Sequence, residues 1–158
     1  MTDNTDKTEL RRIYIKLNRP AKLEEVKLDG YEMLIAYQSL PNEVDVNPVM
    51  EKALSLGMKV AVPALEPGHF ALIDRVVCPV QGPEFDISGV KEKALMLVPA
   101  LAYTQDGARL GRGGGWYDRA LARCPENVLK CGVCRREAVA QSLPRESYDM
   151  NVDRVYSV

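Results

Sequence analysis

The chain has 158 residues, with 21 Lys and Arg against 22 Asp and Glu and a net charge of -1. That balance gives no basic field to gather nucleic acid or an anionic membrane, and no apolar run reaches membrane-spanning length. With 46% apolar and 27% charged residues, the composition is that of one globular domain, residues 1–158, with its own core. Met1 to Lys7 is polar and lacks a signal-peptide core, so a cytoplasmic protein is expected. A monomer is expected as well.

The first expected element is a helix over residues 7–19. Leu10, Ile13, Tyr14 and Leu17 recur at i, i+3, i+4 and i+7, Thr5 or Asp6 serves as cap, and Pro20 ends it. Lys7 and Arg11 sit four apart on the polar side, where like charges repel by ~0.2–0.5 kcal/mol and an anion between them reverses the sign. On the residues alone, a solvated face is the plainer reading. Ala21 to Leu28 reads as a short helix stopped by Asp29-Gly30, Glu32 to Tyr37 as a strand, and Gln38 to Asp45 as a loop. Asn47 is expected to cap a helix with Pro48 as its first residue. That helix runs to about Leu56, with Val49, Met50, Ala53 and Leu54 inward and Gly57 as its stop. Lys59 to Pro63 is the next strand, and the strand–helix–strand unit predicts a parallel crossover.

Glu66-Pro-Gly-His69 reads as a turn between two apolar runs, with Phe70 to Val77 as the second strand of a hairpin. His69 is the only histidine, and a lone histidine at a turn more often has no catalytic part. Cys78 to Asp86, holding Pro79, Gly82 and Pro83, reads as loop, and Ile87 to Lys93 includes a helical turn. Ala94 to Tyr103 reads as one buried strand, Trp116 to Arg123 as a helix burying Tyr117, Ala120, Leu121 and Cys124, and Leu129 to Cys134 as a strand. Glu137 to Ser142 reads as a short helix or turn and Val152 to Val158 as a last strand. The alternation predicts a three-layer α/β/α fold around a mainly parallel sheet. Ligands of such sheets bind beyond the carboxyl ends of the strands, which brings the Gln38–Asp45 loop and the glycine loop to one edge, and Glu43 near Arg112.

The cysteines are Cys78, Cys124, Cys131 and Cys134, and Cys131-Gly-Val-Cys134 has the CxxC spacing of a zinc or redox site. No second CxxC accompanies it. In a strand, residues i and i+3 point to opposite faces, so buried free thiols are expected.

The most informative stretch is Arg109-Leu-Gly-Arg-Gly-Gly-Gly-Trp-Tyr-Asp118, between an apolar run and a helix. Glycines let backbone N–H groups turn toward a ligand, the helix start adds positive potential, and Arg109 and Arg112 add charge, so the stretch suits a phosphate. It lacks the Gly-Lys-Ser/Thr ending of a Walker loop, and Trp116 stands where the dinucleotide fingerprint has its third glycine. A plain tight turn remains an alternative. Asp118 at the helix start is favoured by the dipole by about 0.3–1 kcal/mol whatever else it does. Glu43 also reads as an exposed loop acid, and Trp116 either stacks on a ligand or packs in the core.

Leu97-Val-Pro-Ala-Leu-Ala-Tyr103 and Asp106-Gly-Ala-Arg-Leu-Gly-Arg-Gly-Gly-Gly-Trp-Tyr-Asp118 together resemble the signature of the 5-formyltetrahydrofolate cyclo-ligases, also called methenyltetrahydrofolate synthetases. Ile35 to Asp45 is similar to that family's first strand and following turn, and Ser142 to Asp153 to its C-terminal segment. The likeness covers residues 33–63 and 94–158 and is poor between Ala64 and Lys93, where family members carry a longer Gly/Pro-rich stretch and only Pro79 to Pro83 corresponds. The spacer from Arg11 to the first strand is also shorter than usual in the family.

The resemblance implies a Rossmann-like fold and a reaction dependent on ATP and Mg2+. In it, 5-formyltetrahydrofolate becomes 5,10-methenyltetrahydrofolate with release of ADP and phosphate. The formyl oxygen attacks the γ-phosphorus, and a neighbouring folate nitrogen then displaces phosphate. Such chemistry needs positioning and charge neutralisation more than a protein nucleophile, and no Ser-His-Asp or Cys-His set is evident. By resemblance, ATP is held by Lys7, Arg11, Arg109, Leu110, Gly111, Arg112, Gly113, Gly114, Gly115, Trp116 and Tyr117, with Arg109 and Arg112 catalytic. The folate falls to Gln38, Glu43, Arg112, Gly113, Gly114, Gly115 and Trp116, Glu43 accepting hydrogen bonds from the pterin. Asp118 and Asp149 are the implied metal ligands, a pair sufficient for magnesium alongside phosphate and water; Asp153 is expected to be structural. The other readings are an ATP-dependent enzyme acting on a different N-formyl or amide substrate, and a non-catalytic nucleotide- or folate-binding protein.

Overall fold

The structure is a computed structural model that describes residues 4–17, 19–76 and 82–158, with side chains from Lys7 onward. In chain order, α1 (Asn4–Lys16) is followed by β1 (Met33–Ile35), α2 (Asn47–Ser55), β2 (Lys59–Pro63), β3 (His69–Ile73) and β4 (Glu84–Asp86). A 3-10 turn at Ile87–Gly89 leads to β5 (Ala94–Pro99), β6 (Ala102–Thr104), β7 (Arg109–Leu110) and α3 (Trp116–Ala122). Then come β8 (Val128–Cys134), a second 3-10 turn at Arg136–Ala138, β9 (Val139–Ala140) and β10 (Arg154–Ser157).

The large sheet has the order β10-β8-β5-β1-β2-β3-β4. Every pairing from β10 to β2 is parallel, and β3 and β4 extend it in antiparallel fashion. All residues of β1 and β5 are buried, as expected of parallel strands covered on both faces. Alternate side chains divide between two cores. Leu34, Leu95, Leu97, Cys131 and Val133 meet Val49, Met50 and Ala53 of α2. Met33, Ile35, Met96, Val98 and Cys134 meet Leu121 of α3, with Leu10 and Tyr14 of α1 packed alongside. The small sheet, β7-β6-β9, adds Tyr103 and Leu110 to this second core. The expected three layers are therefore present. So is the CxxC geometry: Cys131 and Cys134 lie on opposite faces as free thiols, each pushed up to about 11 by burial.

Several boundaries differ from expectation. α1 begins at Asn4, so Thr5 and Asp6 lie inside its first turn instead of capping it, and it stops at Lys16, short of Pro20; the side chains of Thr5 and Asp6, like all of Asn18, are outside the described residues. Its buried face is rotated from the apolar stripe: Ile13 is 49% exposed and Lys7 only 6%. Residues 21–28 form no helix. Leu23 N–H donates to Asp45 O and Asp45 N–H to Ala21 O, both at 2.9 Å, and amides spent on that bridge are lost to a helix. Val46, not Asn47, occupies the cap position of α2, and Asn47 N–H donates to Asp45 Oδ1 at 2.8 Å.

The apolar run Ala94 to Tyr103 is two strands. After Pro99 the chain leaves the large sheet, and Leu101 N–H donates to Leu110 O at 2.8 Å, the start of the small one. The hairpin at Glu66–His69 forms, with His69 as the first residue of β3. β3 ends at Ile73, whereas Val77, Cys78 and Pro79 lie outside the described residues. Glu84–Asp86, expected as loop, is an edge strand paired with β3.

Candidate active site

The carboxyl ends of β1, β2 and β5 open into a cleft of about 690 Å³, within the range of small-molecule sites. The glycine loop and the start of α3 form one wall, the turn after β1 another, and α1 with residues 146–149 a third. Every residue singled out above lines it: Lys7, Arg11, Gln38, Glu43, Arg109, Leu110, Gly111 to Gly115, Trp116, Tyr117, Asp118 and Asp149.

The loop's shape comes from two left-handed residues, Gly113 at φ +109° and Gly115 at φ +72°, conformations that cost a side-chain-bearing residue dearly. Two of its carbonyls are taken by arginines. Arg11 Nε donates to Gly111 O at 2.9 Å and Arg119 Nη2 to Gly114 O at 3.1 Å. Across a trans peptide the N–H points opposite to the carbonyl, so Arg112 and Gly115 N–H face away from those arginines. Among the described residues, none of the N–H groups from Arg112 to Gly115 has a protein acceptor.

The two signature arginines differ. The Arg109 side chain is 8% exposed; its Nε and Nη2 donate to Pro99 O at 3.2 and 3.1 Å, and its guanidinium lies 5.2 Å over the Tyr117 ring. It braces the loop against the end of β5. The Arg112 side chain is 35% exposed, donates to Asn42 Oδ1, and places Nε 3.6 Å from Glu43 Oε2. Glu43 is itself fixed by Leu40 N–H, 2.8 Å from its Oε1. The expected proximity of Glu43 and Arg112 is thus a direct ion pair.

Trp116 packs against the core and also borders the cleft. Its ring packs edge-on against Phe70 and Tyr117, its Nε1 donates to Leu65 O at 3.2 Å, and it lines the cleft. The Tyr117 hydroxyl is buried without a partner, and burial pushes its pKa up strongly.

Asp118 and Asp149 are joined through one peptide: Asp118 Oδ1 accepts Met150 N–H at 3.2 Å. Asp149 Oδ2 accepts from Lys7 Nζ and Glu146 N–H, both at 2.8 Å, and Lys7 Nζ is 3.4 Å from Glu146 Oε1. Each aspartate keeps a second oxygen, Asp118 Oδ2 and Asp149 Oδ1, with no partner among the described residues. No group of three or more His, Cys, Asp or Glu suited to a metal occurs among the described residues. Two carboxylates with free oxygens beside the glycine loop would fit magnesium, an ion that takes one or two carboxylates and fills the rest of its shell with water and ligand oxygens. Asp153, by contrast, pairs with the backbone of Lys130 and is structural, as expected.

Sequence reasoning missed Asn42, Glu146, Tyr148 and Arg135. Asn42 and Glu146 lie inside stretches that attracted attention, but their partners, Arg112 and Lys7, are 70 and more positions away.

A family model described as the 5-formyltetrahydrofolate cyclo-ligase family matches residues 18–158. The match runs through residues 64–93, where the motif resemblance is poor, and begins after Lys7 and Arg11. The chain is 26% identical over 149 residues to a 5-formyltetrahydrofolate cyclo-ligase of Mycolicibacterium smegmatis, covering 84% of this chain and 76% of the relative. It is 29% identical over 147 residues to a probable 5-formyltetrahydrofolate cyclo-ligase of Caenorhabditis elegans, covering 77% and 70%. The fold is similar to the NMR structure of 5,10-methenyltetrahydrofolate synthetase from Aquifex aeolicus, with TM-score 0.71, 24% identity, and coverage of 94% of this chain and 88% of the other.

Proposed function

The chain belongs to the 5-formyltetrahydrofolate cyclo-ligase family, and from that premise we propose that its cleft closes 5-formyltetrahydrofolate to 5,10-methenyltetrahydrofolate, using ATP and magnesium and releasing ADP and phosphate. One observation carries the reading: the unpartnered N–H groups of Arg112 to Gly115 share a cleft with Glu43 and with the Asp118–Asp149 pair.

The triphosphate lies along the glycine loop, whose N–H groups donate to its oxygens and need no reorganisation to do so. Arg112, on the rim, turns from Asn42 and Glu43 to the γ-phosphate. That movement releases the Glu43 carboxylate to accept hydrogen bonds from the pterin. Arg109 stays on Pro99 O and contributes its charge from beneath the loop. Arg11 keeps the Gly111 carbonyl turned away from the phosphates, and Lys7 holds Asp149 in place. Asp118 and Asp149 would hold magnesium, which when bound offsets triphosphate charge. Gln38 and Trp116 flank the folate. With the groups held in line, the formyl oxygen takes the γ-phosphoryl group and ADP leaves. The neighbouring folate nitrogen then attacks the formyl carbon and phosphate departs. The protein acts here as one domain, cytoplasmic and monomeric.

The test is to mix purified protein, Mg-ATP and 5-formyltetrahydrofolate and follow methenyl absorbance together with ADP. Both products in equal amounts support the reading. ADP formed only with a different N-formyl or amide compound moves the protein to another substrate. Binding of both ligands without either product makes it a binding protein.

A further inference from the structure

Arg135 is the residue that neither the sequence nor the reaction accounts for. It follows the last residue of β8 and is 7% exposed, yet no carboxylate among the described residues pairs with it. A buried guanidinium without a counter-charge is costly, so its contacts have to matter. Nε donates to Arg19 O and Nη1 to Asn42 O at 2.8 Å, while Nη2 has no partner.

In the sheet, β5 lies between β8 and β1, so Arg135 spans roughly two strand spacings, about 10 Å, to reach the turn after β1. That turn is closed locally, Glu43 N–H donating to Leu40 O at 2.9 Å. Its tip at Asn42 is tied to a distant part of the backbone by Arg135. Asn42 and Glu43 are the two residues that hold Arg112.

We propose that Arg135 is a positioning residue: by gripping the Asn42 carbonyl it holds the 40–43 turn, and through it Glu43, at the height needed to receive the substrate's donor groups. The assignment of Glu43 rests on the function proposed above; the grip on the turn does not. Arg135 makes no hydrogen bond to the glycine-loop backbone, and Arg112 leaves Asn42 and Glu43 when it turns to the phosphate, so the effect falls on the Glu43 side of the cleft and spares the nucleotide side.

The experiment pairs hydrogen exchange of residues 38–45 with steady-state kinetics for both substrates. Arg135→Met keeps the buried stem and loses both donors. It should raise exchange in 38–45 and raise KM for 5-formyltetrahydrofolate about tenfold, the scale expected for a lost charged hydrogen bond, while KM for Mg-ATP moves by less than about twofold. Arg135→Lys, which still reaches one carbonyl, should recover most of both effects. Unchanged exchange in 38–45 overturns the proposal whatever the kinetics do. Equal rises in both KM values, or failure of lysine to rescue, also overturn it and mark Arg135 as ordinary scaffold. A wild-type protein inactive on this substrate pair refutes the functional reading instead, and the exchange result still decides the role of Arg135.

Discussion

Two walls of one cleft differ in how far the protein has already satisfied their charges. On the acidic wall, Lys7, Glu146 and Asp149 are largely buried and pair with one another at 2.8 and 3.4 Å. On the opposite wall, Arg112, Gly113 and Gly114 are exposed and their backbone N–H groups meet no acceptor among the described residues. The first wall is a joint, holding α1 against a segment far away in sequence. The second keeps backbone donors to spare, as the function proposed above requires. Exposed N–H groups lose little while hydrated, whereas the same groups buried and unpaired cost about 1–3 kcal/mol each. The loop can therefore stay open, and the joint cannot be left half made.

That contrast is easiest to break at Lys7. Lys7→Met should destabilise the protein by about 3 kcal/mol or more, because it strands the Asp149 carboxylate. Urea unfolding measures this, and adding Asp149→Asn should return part of the loss. A Lys7→Met variant as stable as wild type would show that this pairing is no joint. On the other wall, Arg112→Ala should lower kcat/KM for ATP about 100-fold, the scale of losing a positioned charge-stabilising donor, and leave the unfolding midpoint near wild type. A stability loss without an activity loss would exchange the roles of the two walls.

Gly114→Ala sharpens the comparison further. No atom lies within 4 Å of the added methyl and the backbone there is not left-handed, so stability should hold within about 1 kcal/mol. If the phosphates lie against this backbone, KM for ATP should still rise several-fold. An unchanged KM would place the triphosphate elsewhere. The smallest effect is expected away from both walls. Cys131→Ala should leave kcat/KM within about twofold. Because burial holds the Cys131 and Cys134 thiols at about 11 against 9.0 for a free thiol, the unfolded chain gives up these protons first. Their contribution to stability is therefore intact below about pH 9 and declines from there toward 11. Unfolding curves measured across that range, with thiol labelling of the native protein at pH 8, check the sign.

What was legible in the sequence was local. The glycine loop, the helix after it, the strand Lys59–Pro63 and the opposed faces of the CxxC follow from spacing and residue type, and they stand as read. The site residues also converge on one cleft as expected, since loops at strand ends share an edge in a parallel sheet. What was not legible depended on partners far off in the chain. Residues 21–28 read as a helix, but Leu23 N–H and the Ala21 carbonyl are taken by Asp45. Lys7 looks like a surface charge until Asp149 arrives. The break after Pro99 is invisible in an apolar run because both halves are buried, in two different sheets. Arg135 carries no motif at all; only its two carbonyl contacts give it meaning.

The bond between Lys7 and Asp149 joins positions 142 apart, and this has a bearing on synthesis. A nascent chain has the residues of its first helix early and those of its glycine loop by residue 115, yet the wall opposite closes only when Asp149 has been added. At ordinary translation speeds that interval is roughly two to seven seconds. During it the partner of Lys7 does not yet exist, so the contact that fastens α1 to residues 146–149 is among the last the growing polypeptide is able to make.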